Sequence, residues 1–114
     1  MKVAIVNCFD TYEDRVDLLY EFFIGHGHNV TVVQSDFRHF KKEHRKDSKE
    51  GFIFIGSRPY YKNMSAARLY SHYKFAEDAF KVVEKIKPDL LYTLVPPNSL
   101  AKFAAKYKQK HKNV

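Results

Sequence analysis

Twelve residues, Lys87-Pro88-Asp89-Leu90-Leu91-Tyr92-Thr93-Leu94-Val95-Pro96-Pro97-Asn98, hold a helix stop, an apolar run and a double breaker in direct succession. Pro88 has no N–H to donate within a helix, and its ring drives Lys87 out of the right-handed α region, so the periodic segment before it must end. Leu90 to Val95 is too short for an ordinary helix and too apolar for a solvated loop. It reads as a strand covered on both faces. Pro96 and Pro97 cannot donate to a ladder, which puts them just past the strand's carboxyl end. Open α/β sheets bind ligands at that end.

The rest of the chain repeats this alternation. Lys2 to Cys8, with Val3, Ile5 and Val6, reads as a first strand. Asp10 or Thr11 then supplies a cap for a helix whose first turn carries Glu13 and Asp14, acids that complement the helix dipole. Val16, Leu19, Tyr20 and Phe23 recur at helical spacing, and Gly25 and Gly27 end the helix. Asn29 to Gln34 is a second strand, completing a βαβ unit. Asp36 to Glu50 is dominated by charged residues and reads as an exposed, partly mobile loop. Phe52 to Ile55 forms a third short strand, and Arg58 to Asn63 a polar turn. The longest helical pattern runs from Met64 or Ser65 to Ile86, with Leu69, Tyr73, Ala76, Phe80, Val83 and Ile86 as its stripe. After the opening stretch comes a basic helix, Ser99 to His111, with Leu100, Phe103, Ala104 and Tyr107 on one face. The expected fold is α/β: a Rossmann-like three-layer α/β/α domain with a mostly parallel sheet of about four strands.

At 114 residues the chain is expected to form one domain. No apolar run is long enough to span a bilayer, and no leader-like segment follows Met1, so a cytoplasmic location is expected. The lone cysteine, Cys8, at the end of a buried strand, reads as a small core residue. A formal charge of +7 favours anionic partners, and eight Tyr with ten Phe suit a polar–apolar boundary. Lys112-Asn113-Val114 resembles the opening of a further strand, so a longer polypeptide is expected.

Several chemistries lack their motifs. His26, His28, His39 and His44 are closely spaced, but no cysteine pairs or His-Glu-x-x-His pattern accompany them, and surface roles are expected over metal binding. Neither Gly-x-Gly-x-x-Gly nor Gly-x-x-x-x-Gly-Lys occurs, which argues against a dinucleotide or triphosphate cofactor cradled in the usual way. No cofactor is expected. Asp10 at a strand end raises a receiver-like phosphoacceptor, but the additional acidic pair and the strand-end lysine are missing. Arg58-Pro59-Tyr60-Tyr61-Lys62-Asn63 is the richer cluster, joining planar donors, aromatic faces and an amide at a strand's carboxyl end. A polar loop whose aromatics cover the sheet edge fits these residues equally. Arg68, Tyr70, Tyr73 and Lys74 extend the same character onto the following helix, as a helix lying near anionic lipid would. Nucleic-acid binding explains the charge but has no signature motif here.

In order along the chain, Lys2-Val3-Ala4-Ile5-Val6-Asn7, Gly27-His28-Asn29-Val30-Thr31-Val32-Val33, the Pro59-to-Asn63 loop with Ser65 to Ala76, Lys87 to Tyr92 and Pro96-Pro97 resemble the N-terminal half of family 4 glycosyltransferases of the GT-B fold. The resemblance implies sugar transfer from a nucleotide-sugar donor to a polysaccharide or lipid-linked acceptor, in a cleft between two Rossmann-like domains. Residues 1–114 would then be the acceptor-side domain, inactive alone, with the donor held mainly by a C-terminal domain. It also implies peripheral contact with an anionic membrane face. The chain departs from the family in its first loop, where Phe9-Asp10-Thr11-Tyr12 replaces a Gly-Gly pair, and in lacking a histidine within Thr93 to Pro97. No catalytic base is therefore assigned. The expected substrate contacts are Asp10, Thr11, Arg58, Tyr60, Tyr61, Lys62, Asn63 and Asn98. The alternative is a stand-alone flavodoxin-like or receiver-like binding module.

Overall fold

The computed structural model describes residues 1–38, 43–44, 50–56, 66–94 and 98–114. Strands β1 (Lys2–Asn7), β2 (Asn29–Ser35), β5 (Phe52–Ile55) and β6 (Leu90–Thr93) form one sheet in the order β5-β2-β1-β6, with every pairing parallel. Helices α1 (Glu13–Gly25), α2 (Ala66–Ile86) and α3 (Asn98–Lys110) complete the described scaffold. A short antiparallel pair, β3 (Phe37–Arg38) and β4 (Glu43–His44), interrupts the segment expected to be all loop.

Alternation along β1 and β2 builds the three layers. Val3, Ile5, Val30 and Val32 face Val16, Leu19 and Phe23 of α1. Val6 and Val33 face the opposite way, into a cluster with Phe75, Ala76, Ala79, Phe80 and Val83 of α2 and Leu100 and Tyr107 of α3. A one-residue slip would send each set to the wrong face, so the two helix layers jointly fix the register. The amino ends are pinned as well: Lys2 N donates to Asp89 Oδ2 and Asp89 N donates to the Lys2 carbonyl, each at 2.8 Å.

Helix ends follow local chemistry. Gly27, with φ 83°, terminates α1, its N–H bonding the Ile24 carbonyl while His28 N reaches the Phe23 carbonyl. This paired pattern needs a left-handed residue, which glycine adopts without a Cβ penalty. Lys87 takes φ 53° before buried Pro88, so α2 ends where the proline requires. Gly51, φ 78°, enters β5 under Tyr20; a Cβ there would lie 2.5 Å from that ring.

Four sequence expectations are corrected. The helical cap by Asp10 or Thr11 is replaced by a 3-10 turn, Asp10–Tyr12, and neither that turn nor α1 has a side-chain cap bond. Of the expected α2 stripe, Ala76, Phe80 and Val83 are buried and Ile86 packs against the same core, but Leu69 and Tyr73 are exposed, and Ser71, His72, Phe75 and Ala79 complete the buried face. The 3.6-residue period permits two neighbouring stripes, and only packing on α3 and the sheet chooses between them. β6, an end strand of the sheet, is not buried on both faces: Leu90, Leu91 and Thr93 are half-buried and Tyr92 is 43% exposed. The flavodoxin-like or receiver-like topology is not the one observed. That class places its third strand beside the first, whereas here the third long strand, β5, pairs with β2, giving the Rossmann order 3-2-1-4.

Among the described residues no helix is long and apolar enough to cross a membrane.

Candidate functional site

In the 3-2-1-4 order the chain reverses direction across the sheet between β1 and β6. The carboxyl ends of these two strands therefore form the sheet's topological switch point. A cavity of about 570 Å³ occupies this region, lined by Tyr12, Arg15, Leu18 and Leu19 on one wall and Tyr92, Thr93 and Leu94 on the other. Its volume lies in the range of small-molecule sites. The Arg15 guanidinium sits 5.9 Å from the Tyr12 ring centroid. Among the described residues the lining combines one cation, two phenols and three leucines, with no carboxylate. Such a wall suits a ligand with an anionic or hydroxyl-rich end and an apolar flank.

Behind the crevice lies a buried polar chain. Asn7, fully buried, donates through Nδ2 to the Phe9 carbonyl at 2.8 Å and to Gln34 Oε1 at 3.0 Å. Gln34 Nε2 in turn donates to Glu13 Oε1 at 2.9 Å. Asn7 and Gln34 are register partners at the ends of β1 and β2, so the sheet itself aligns the two amides. The chain ties the first loop to both strands and to the start of α1. Asn7 Oδ1 and Thr93 Oγ1 are buried with no hydrogen-bond partner among the described residues.

On the opposite face Phe9 packs edge-on against buried His72, with centroids 5.0 Å apart, and the Ser99 hydroxyl bonds the His72 carbonyl at 3.5 Å. His72 therefore serves the seam between the first loop, α2 and α3. Cys8 lies in the same core, as its sequence position predicts. Burial pushes its thiol up to about 12, opposed by Arg68 and reinforced by Asp10. The raised value keeps Cys8 protonated in the folded chain: this contribution to stability is complete below the thiol's unfolded pKa near 9.0 and disappears as pH rises toward 12. Native protein at pH 8 is expected to react with a thiol-alkylating reagent about a thousandfold more slowly than unfolded chain. Equal rates by mass spectrometry would show that Cys8 is accessible and ionised.

Of the expected contacts, Asp10 and Thr11 form the 3-10 turn leading into Tyr12, at the rim of the crevice; neither lines it. Arg58, Tyr60, Tyr61, Lys62 and Asn63 lie outside the described residues, and Asn98 begins α3 without a described side chain. Sequence reading missed Asn7, Arg15 and Gln34. An amide closing each of two apolar strands was the available signal for Asn7 and Gln34. Arg15 had none, because its role depends on how α1, packed over β1 and β2, lies beside β6. His26 Nδ1 approaches the Phe22 carbonyl at 2.8 Å and His28 Nδ1 the N-terminal amine at 3.1 Å, so the two close histidines point to separate partners.

The fold and crevice define a Rossmann-like α/β domain with a ligand-sized site at its topological switch point. No protein-family model, curated protein or solved structure matches the chain.

Proposed function

We propose that this chain is the acceptor-side domain of a glycosyltransferase of the GT-B fold, working with a second domain that carries the nucleotide-sugar donor. The supporting observation is the crevice between Tyr12–Leu19 and Tyr92–Leu94, at the sheet end where a two-domain cleft would open. The family-like segments of the sequence supply β1, the turn into β2, and β6. In the implied reaction an acceptor hydroxyl oxygen bonds to the sugar's anomeric carbon, the bond to the nucleoside diphosphate breaks, and the diphosphate leaves with the electron pair. The hydroxyl proton passes to a base other than the described lining residues, among which there is no carboxylate or histidine. Arg15 would meet an acceptor phosphate or sugar hydroxyl, with Tyr12 and Tyr92 as flanking phenols.

The test is an assay of the complete gene product with labelled nucleotide sugars and a membrane-extracted acceptor fraction. Arg15→Gln and Tyr92→Ala are expected to raise the acceptor KM by about tenfold and leave the donor KM unchanged, as loss of a charge-assisted contact predicts. Absence of transfer from any donor, or unchanged acceptor kinetics in both variants, would reject the assignment.

A further inference from the structure

Among the described residues α1 is the only helix on its side of the sheet, and it turns large apolar side chains both ways. Val16, Leu19 and Phe23 pack toward the strands, whereas Leu18 and Phe22, one turn apart, are 69% and 56% exposed. Asp14 and Glu21 lie on that same outer face, four residues before Leu18 and three after it. Neither carboxylate has a hydrogen-bond or ion-pair partner among the described residues. Helix α1 as a whole holds Glu13, Asp14, Asp17 and Glu21 against a single base, Arg15. Its outer surface is acidic around an apolar centre, on a chain whose formal charge is +7.

The other side of the sheet presents the converse. Leu69, Tyr70 and Tyr73 in the first turns of α2 are exposed, although its later turns bury Phe75, Phe80 and Val83. The Tyr73 and Phe103 ring centroids lie 5.5 Å apart, and the Lys106 ammonium lies 5.8 Å from the Phe103 centroid. Lys102, one turn before Lys106, is exposed as well. α3 contains Lys102, Lys106, Lys108 and Lys110 and no acidic residue. The nearby acids of α2, Glu77 and Asp78, are held by Lys74 at 3.1 Å and 3.2 Å, so they do not compensate the α3 lysines. This face is apolar and phenolic at its centre and basic at its margin.

We infer that this protein associates head to tail with copies of itself, the acidic α1 face of one copy seating on the basic α2–α3 face of the next. Apolar centre meets apolar centre, and Asp14 and Glu21 come opposite Lys102 and Lys106. Like faces would set acid on acid or lysine on lysine, so charge selects the unlike pairing, and the net charge of +7 opposes the other orientations. A polyanion would meet the α3 lysines but leave Leu18 and Phe22 without a role. The two faces lie on opposite sides of the sheet, so each added copy leaves one face of each kind free. Such a contact is heterologous, and the assembly grows by repetition rather than stopping at a pair. The pairing stands on α1, α2 and α3 and does not rest on the sugar-transfer reading.

Sedimentation velocity over a concentration series is expected to show the purified protein passing beyond the mass of a dimer. The double variant Asp14→Lys with Glu21→Lys makes both faces basic, and Lys102→Glu with Lys106→Glu makes both acidic. Each should weaken association about tenfold or more and run as a monomer where wild type assembles. Mixing the two double variants is expected to restore assembly, because unlike faces are again available. Combining all four substitutions in one chain should restore it too, since the charges are then exchanged. Phe22→Ser should weaken assembly about tenfold through the lost apolar contact, and Lys85→Gln, at the far end of α2, should leave it unchanged. All these positions are exposed, and far-UV circular dichroism verifies that each variant folds. A wild-type protein that stays monomeric up to its solubility limit, or double variants no more associated when mixed than apart, would overturn the inference. So would a particle that stops at a dimer and persists in both double variants, the signature of a like-face contact. No sugar donor or acceptor enters these measurements, so the transferase assay succeeds or fails independently.

Discussion

Replacing Phe75 with alanine is expected to destabilise the domain by about 3–5 kcal/mol, the usual range for emptying a buried phenyl site. Phe75 is 1% exposed and lies among Val6, Val33 and Ala79, where α2 closes on the sheet. The surrounding residues come from three different elements, so the void cannot be refilled by moving one side chain. Against a typical domain stability of about 5–15 kcal/mol, the loss would shift the urea midpoint sharply or leave the chain unfolded. Leu69→Ala on the same helix is expected to change stability by no more than about 0.5 kcal/mol, because Leu69 faces solvent. Equal costs for the two variants, in equilibrium denaturation, would show that the packing stripe has been placed on the wrong face of α2.

Converting Asn7 to aspartate is expected to cost about 3 kcal/mol or more at neutral pH, although the two side chains are nearly the same size. Asn7 Nδ2 donates both to the Phe9 carbonyl and to Gln34 Oε1, whereas a carboxylate donates to neither and places a charge beside two acceptor oxygens. The buried carboxyl resists ionisation, so its folded pKa would rise above the unfolded value. The sign follows: the variant is relatively most stable below the unfolded carboxyl pKa, near 3.9, and loses that advantage as pH rises through the folded value. Denaturation of wild type and Asn7→Asp across pH measures the difference. A gap independent of pH would mean that the amide is not buried as described. Asn7→Asp should also loosen the Phe9–Tyr12 segment, and with it the crevice wall carrying Arg15.

The alternation of elements was legible because each boundary has a local cause. Pro88 stops α2, Gly27 closes α1, and the apolar runs at Val3–Val6 and Val30–Val33 have no helical period to compete with a strand. Cys8 was legible for the same reason, as the continuation of an apolar strand. The stripe of α2 was legible in Ala76, Phe80, Val83 and Ile86 but not in its first turns, because Leu69 and Tyr73 satisfy helical spacing as well as Phe75 and Ala79 do, and spacing alone carries no information on which neighbour arrives. The crevice was only half legible. Its location at the strand tips followed from Pro96 and Pro97, but Arg15 became a lining residue only through the position of α1 beside β6.

The Lys87–Asn98 stretch, read alone, determined that a helix ends and a strand follows, since proline geometry and apolar run length act within a few residues. Tertiary structure decided that this strand pairs with β1 as the sheet's edge, and that Asn7 and Gln34 meet across the register. It also decided that Leu69 and Tyr73 remain exposed. Those outcomes depend on contacts between residues far apart in the chain, where strand order and helix placement determine which of several locally acceptable faces is buried.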